Sequence, residues 1–209
     1  MNKSNFKLLL LIILFILLNQ LLTILLGTNE LLSQTLIKTY SKHDVDQYLQ
    51  FQNKWQWISY PIIVVLLLLK ISIITTILYI GLFFSNINIK FNTILNIAIN
   101  AEFIFLLVPV FKILWFCFFQ TKYNLEDIQY FYPLSALNIT GYKNLEIWFI
   151  YPFQVLNLFE FFYIIYLGYE IGKLTNTNTD YGLKIVALSY IPNLLLWVTA
   201  VMFFTLNYS

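Results

Sequence analysis

Arginine is missing from this chain altogether, histidine and cysteine occur once each (His43 and Cys117), and only 11% of the 209 residues are charged. Each scarcity closes a class of chemistry. Without arginine there is no planar guanidinium fork to grip phosphate or guanine, and a net charge of +2 leaves no electrostatic footprint for nucleic acid. No nucleic-acid partner is therefore expected. One cysteine precludes an internal disulfide. One histidine and one cysteine cannot assemble the usual zinc sites or a histidine-dependent triad. The chain has no Gly-x-Ser-x-Gly turn, no His-Glu-x-x-His and no Walker-type glycine loop. The four aspartates, Asp44, Asp46, Asp127 and Asp180, all lie in polar connections, so no aspartate pair sits inside an apolar run. No nucleophile–base constellation can be put together. The expectation is a protein that is not an enzyme and holds no metal or cofactor.

What the chain has in abundance is apolar surface. It is 60% hydrophobic and 19% aromatic, with a mean hydropathy of +0.75, whereas an ordinary soluble domain is about a quarter charged. Lipid is the solvent such a composition suits. The runs predict an all-α polytopic membrane protein, a single domain over 1–209 with five transmembrane helices at 8–26, 58–84, 94–119, 148–172 and 183–206. The first run follows Lys3 and Lys7 and is too long for a signal-peptide core, so it is expected as an uncleaved span. Trp55, Trp57 and Tyr60 form an aromatic belt at the entry to the second, and Pro61 falls in its first turn, where a missing N–H does no harm. Pro109 is expected to kink the third.

The connections carry their own signals. Asp44 followed by Gln47 reads as a helix cap, and Asn124 with Asp127 as another; one or two interfacial helices are expected there. Asn92, Asn96 and Asn100 recur every four residues and form one stripe on a helix, either a packing seam held by amide hydrogen bonds or the wet wall of a pathway. Tyr132-Pro-Leu-Ser-Ala-Leu-Asn138 is echoed by Tyr151-Pro-Phe-Gln-Val-Leu-Asn157. Both copies suggest an aromatic anchor and a helix-starting proline, the first giving a short re-entrant helix and the second continuing as the fourth span. Gly168-x-x-x-Gly172 reads as a helix ending rather than a seam.

Four ionisable residues lie inside apolar runs: Lys70, Glu102, Lys112 and Glu160. Charge in hydrocarbon costs a few kcal/mol or more on any scale, so these groups are expected to neutralise one another across helices, with an ion- or proton-coupled site as the alternative. Glu102 is the one expected to snorkel out to the interface. Short-loop lysines (Lys3, Lys7, Lys90, Lys173 and Lys184) favour an N-terminus on the cytoplasmic side.

The stretch Leu156-Asn-Leu-Phe-Glu-Phe-Phe162, with Leu167-Gly168, Ile171-Gly172 and Gly182-Leu-Lys-Ile-Val186 after a short polar turn, resembles the bacterial branch of the Ypt-interacting-protein (Yip) family of five-span membrane proteins. The resemblance covers roughly 150–206. It implies the five-span fold and a bacterial inner (cytoplasmic) membrane. Eukaryotic members bind small GTPases through a cytosolic N-terminal region, which the early start of the first apolar run leaves little room for here. Two functions follow from the residues: a non-enzymatic scaffold or accessory protein, with membrane lipid and other integral membrane proteins as partners, or a small permease or permease subunit using the buried Lys and Glu charges.

Overall fold

Residues 3–208 are described by a computed structural model; residues 1, 2 and 209 lie outside it. Among the described residues every regular element is helical apart from one isolated β-bridge. Four helical stretches are long and apolar enough to cross a membrane: Ser4–Leu25, Lys42–Phe84, Phe91–Phe118 and Thr179–Tyr208. The stretch expected as a fourth of five spans is not among them, for a reason given below.

The first helix, α1 (Lys3–Leu25), is mostly leucine and isoleucine from Leu8 on, with Asn19, Gln20 and Thr23 its polar residues there, and the chain turns at Gly27. That glycine takes a left-handed φ of 57°, which a Cβ would strain, and turns the chain into α2 (Thr28–Ile37). Next comes α3 (Lys42–Trp55). Its cap is not Asp44 but Ser41, whose hydroxyl oxygen accepts the Asp44 N–H at 3.3 Å and donates to the Asp44 carboxylate at 2.6 Å. Asp44 occupies the third helical position of the motif, because serine can leave the helical conformation while its oxygen serves a free N–H. A 3₁₀ turn over Gln56–Ile58 leads into α4 (Ser59–Phe84).

The third apolar run divides into α5 (Phe91–Glu102), a 3₁₀ turn at Phe103–Leu106 and α6 (Leu107–Phe118). The disturbance expected at Pro109 falls in the turn before it. Pro109 has no N–H for the Phe105 carbonyl and its ring crowds that oxygen, so the preceding turn tightens.

The expected helix 148–172 is two helices, α9 (Ile147–Val155) and α10 (Leu158–Leu174), separated at Leu156 and Asn157. Asn157 is the cause. Its side-chain NH₂ donates to the carbonyls of Gln154 and Val155 at 2.9 and 3.0 Å, closing α9. Its side-chain oxygen accepts the Glu160 N–H at 2.8 Å, opening α10. An amide supplies both a donor and an acceptor, so one residue ends one helix and starts the next.

The backbone freed at this break is satisfied by the earlier copy of the echoed motif. Ala136 N–H donates to the Leu156 carbonyl at 2.8 Å and Leu158 N–H to the Leu134 carbonyl at 3.1 Å. Ser135 and Asn157 thus face each other in a single antiparallel bridge. The two copies do not share a conformation, as their sequences suggested; they pair with each other. Residues 152–155 end a helix, while residues 133–136 form a turn with Leu134 at a φ of 55°. Opposed residues of this kind lie about 4.5 Å apart at Cα, within disulfide reach. Cysteines at Ala136 and Leu156, the neighbouring opposed pair at about 5.5 Å, leave Asn157 in place and, in a Cys117→Ser background, are expected to crosslink on mild oxidation. Peptide mapping that finds both thiols free would refute the pairing.

The rest of the third connection is α7 (Leu125–Tyr130), α8 (Leu137–Thr140) and a turn. The cap read at Asn124 and Asp127 is present as a reciprocal capping box. Tyr142 donates to the Asp127 carboxylate at 2.9 Å; desolvation first, and then that bond, push its phenol up to about 12.

The last helix, α11 (Thr179–Tyr208), returns antiparallel along α10 and α9 and also packs on α4. Gly172 lies in the last turn of α10, in keeping with a helix ending, and Gly168 and Gly172 also form the α10–α11 seam with Gly182. A Cβ on Gly182 would collide with the Gly168 carbonyl oxygen and lie 2.6 Å from the Gly172 nitrogen. The core lies between α4, α5, α10 and α11, filled by Ile71, Leu78, Ile94, Tyr163, Leu167 and Val186. α1 packs over α4, α5 and α6 and exposes most of its length.

Candidate functional site

Three of the four ionisable residues singled out in the sequence meet in the middle of this bundle. At 1.5 Å per residue Lys70 lies about 16 Å from one end of α4 and about 21 Å from the other. Its ammonium is 2.8 Å from Glu102 Oε2 on α5. It also sits 3.8 Å from the centre of the Phe105 ring, near enough for a cation–π contribution. The partners are unevenly placed: the Lys70 side chain is 41% exposed and that of Glu102 only 2%. Glu102 therefore does not snorkel. It is the last residue of α5 before the 3₁₀ segment, in a buried stretch, and the ammonium on α4 holds it inward.

Glu160 stands beside this pair. It occupies the first turn of α10, where the Asn157 cap fixes its backbone, and Tyr190 of α11 donates to its Oε1 at 2.6 Å. Tyr163, one turn further along α10, is fully buried. Its ring packs 5.1 Å from Phe105 and 5.6 Å from Tyr190, centre to centre, and so joins the ion pair to the Glu160–Tyr190 bond. Two buried atoms in this layer have no hydrogen-bond partner: Glu102 Oε1 and the Tyr163 hydroxyl. Leaving such groups unpaired costs about 1–3 kcal/mol each, more for a charged one. The layer is thus polar, crowded and unsatisfied at one place.

Lys112 does not join it. Among the described residues the only ion pairs are Lys70–Glu102 and the exposed Lys173–Glu170 contact, so the mutual neutralisation of four charges expected from the sequence is confined to one pair. Lys112 lies on α6, beyond the 3₁₀ turn that separates it from Glu102. The asparagine stripe is also divided. Asn92 is exposed, and Asn96 spends its NH₂ on the Asn92 carbonyl of its own helix at 2.9 Å. Only Asn100 reaches another helix, accepting from Lys7 of α1 at 2.9 Å.

Tyr163, Tyr190 and the pairing of Ser135 with Asn157 escaped the sequence reading. The tyrosines left a legible signal. A phenol in the middle of an apolar run needs a partner for its hydroxyl, and Tyr163 follows Glu160 by three residues, which puts both on one side of a helix. Tyr190 and Ser135 gave none, because both reach Glu160 and Asn157 through tertiary contacts. Among the described residues no group of three or more His, Cys, Asp or Glu side chains is placed to hold a metal ion. Compared with family models, with curated proteins and with solved structures, the chain gives no match.

Proposed function

We propose that this chain crosses a bilayer five times, with α9 and α10 together forming one interrupted passage, and that it acts as a small permease or permease subunit. The cytoplasmic N-terminus and the bacterial inner membrane belong to the same proposal, as does kinship with the Yip family. The break at Leu156–Asn157 carries the functional reading. A bilayer tolerates non-helical backbone only where protein or a water-lined cavity surrounds it. Secondary transporters place their binding sites at such breaks, near the midplane. Here the break adjoins Glu160, and the turn at 133–136 reaches in to pair with it.

A scaffold acting through helix contacts is favoured by a different observation. Lys70 is 41% exposed midway along an apolar helix, among Leu66, Leu69 and Ile73, which are 59%, 53% and 55% exposed. A helix of another membrane protein would cover this surface and give the remaining ammonium N–H groups an acceptor.

Labelling with a membrane-impermeant maleimide separates the two. Single cysteines at Lys70, Asn96, Lys112 and Glu160, in the Cys117→Ser protein, are expected to react at 70 and 160 from one side of oriented vesicles. Folded variants inert at both positions would sink the permease reading and leave the scaffold.

A further inference from the structure

The geometry points to a binding site for one monovalent positive charge, a proton or a bare alkali cation, between Glu102 on α5 and Glu160 on α10. Two carboxyl groups and one ammonium share the layer, and the ammonium is committed to Glu102 Oε2 and the Phe105 ring. Every other titratable group around it is a phenol that adds no positive charge: Tyr163 from α10, Tyr190 from α11, Tyr151 from α9 and Tyr132 from the third connection. Of the other lysines on the helices around it, Lys7 of α1 is bonded to Asn100, and Lys112 of α6 makes no ion pair. One negative charge is left over when both carboxyls are ionised. At this place two buried oxygens, Glu102 Oε1 and the Tyr163 hydroxyl, on side chains 2% and 0% exposed, lie close to each other but outside hydrogen-bond geometry, and neither has another partner. Buried polar atoms are nearly always paired, and two orphans beside an uncompensated carboxyl are what a bound cation would satisfy.

The stoichiometry follows from charge balance. Wild type takes up one positive charge per chain. Glu102→Gln or Glu160→Gln removes the surplus negative charge, so either variant alone takes up none. Lys70→Gln leaves two carboxyls and takes up two. Tyr163→Phe keeps every charge but removes one of the free oxygens, and binds about tenfold more weakly or worse, the worth of a hydrogen bond to a charged group.

Uptake is measured on the full chain in nanodiscs by two routes. Infrared difference spectroscopy across a pH series follows the carbonyl stretch of a protonated carboxylic acid. Radiolabelled sodium or potassium, with choline as the competing bulky cation, reports an alkali ion. A carboxylic-acid band that titrates in wild type and is absent from both glutamine variants identifies the charge as a proton. Saturable alkali uptake lost in both variants identifies it as a metal cation. Uptake of neither kind, or uptake unchanged in Glu102→Gln and Glu160→Gln, overturns the site. Circular dichroism and gel filtration check folding of each variant, and Tyr163→Phe keeps the test open should a glutamine variant not fold. Charge uptake requires no passage of solute, so this experiment and the maleimide labelling fail separately.

Discussion

Leucine in place of Lys70 is expected to destabilise the protein by about 5 kcal/mol, and leucine in place of Glu102 by about 3 kcal/mol, the two ends of the range for breaking a buried ion pair. The asymmetry comes from burial. Removing Lys70 leaves a carboxyl that is 2% exposed dependent on charge taken up from solution, whereas removing Glu102 leaves an ammonium that is 41% exposed, rests on the Phe105 ring and still has Glu160 nearby. The double variant, with leucine at both positions, should recover most of the loss, because an apolar pair of similar size avoids the desolvation that the ion pair has to overcome. Denaturant titration of the purified protein, followed by circular dichroism, gives all three values in one cycle. Equal losses for the two single variants, or a double variant as unstable as Lys70→Leu, would mean that the pair is not buried as described.

Alanine at Gly182 is the second large effect, expected above 3 kcal/mol or as a failure to recover folded protein. A single methyl there meets backbone on α10: the Gly168 carbonyl oxygen and, at 2.6 Å, the Gly172 nitrogen. Backbone cannot rotate out of the way as a side chain can, so the helices must separate along the seam. Overpacking a tight core otherwise costs about 1–3 kcal/mol. Gly168→Ala should be milder. Its closest neighbours are the Leu183 side-chain carbons at 2.5 and 2.7 Å, which can shift, although the Leu183 Cα at 3.1 Å limits the relief. Leu188→Ala, on a side chain 71% exposed in the same helix, serves as the near-neutral control. Unfolding midpoints that rank Gly168→Ala below Gly182→Ala would contradict the α10–α11 packing.

The long apolar runs were legible because a bilayer-length helix needs only composition. Nineteen aliphatic-rich residues before Gly27, or the run from Pro61 to Phe84, specify a helix wherever its neighbours lie. The Asn124–Asp127 capping box was legible for a similar reason, since both partners lie within one turn. Ser41 was passed over for Asp44 because both residues suit a cap, and only the backbone decides which of them has left the helix.

The interrupted fourth passage shows where such reading stops. From Ile147 to Lys173 hydropathy is continuous, and an asparagine inside it reads as a polar residue to be packed. That Asn157 ends one helix and starts another depends on the Ser135 turn arriving to satisfy the freed peptide groups, twenty-odd residues earlier in the chain and across the bundle. The echoed motif was visible, yet its role as a pairing partner was not, because sequence similarity says nothing about mutual contact.

Composition and periodicity alone determined that this is an all-helical chain of a composition suited to lipid, with no arginine and a single histidine and cysteine, and that Lys70, Glu102 and Glu160 stand in apolar surroundings. Only the tertiary structure decided which charges meet, that Lys112 stands apart, and that Tyr163 and Glu102 each keep a buried oxygen unpaired. The physical reason is that helix formation is governed by contacts within a few residues. Pairing of charges depends instead on helix neighbours and their rotation, which the glycine seam of α10 and α11 and the break at Asn157 set together.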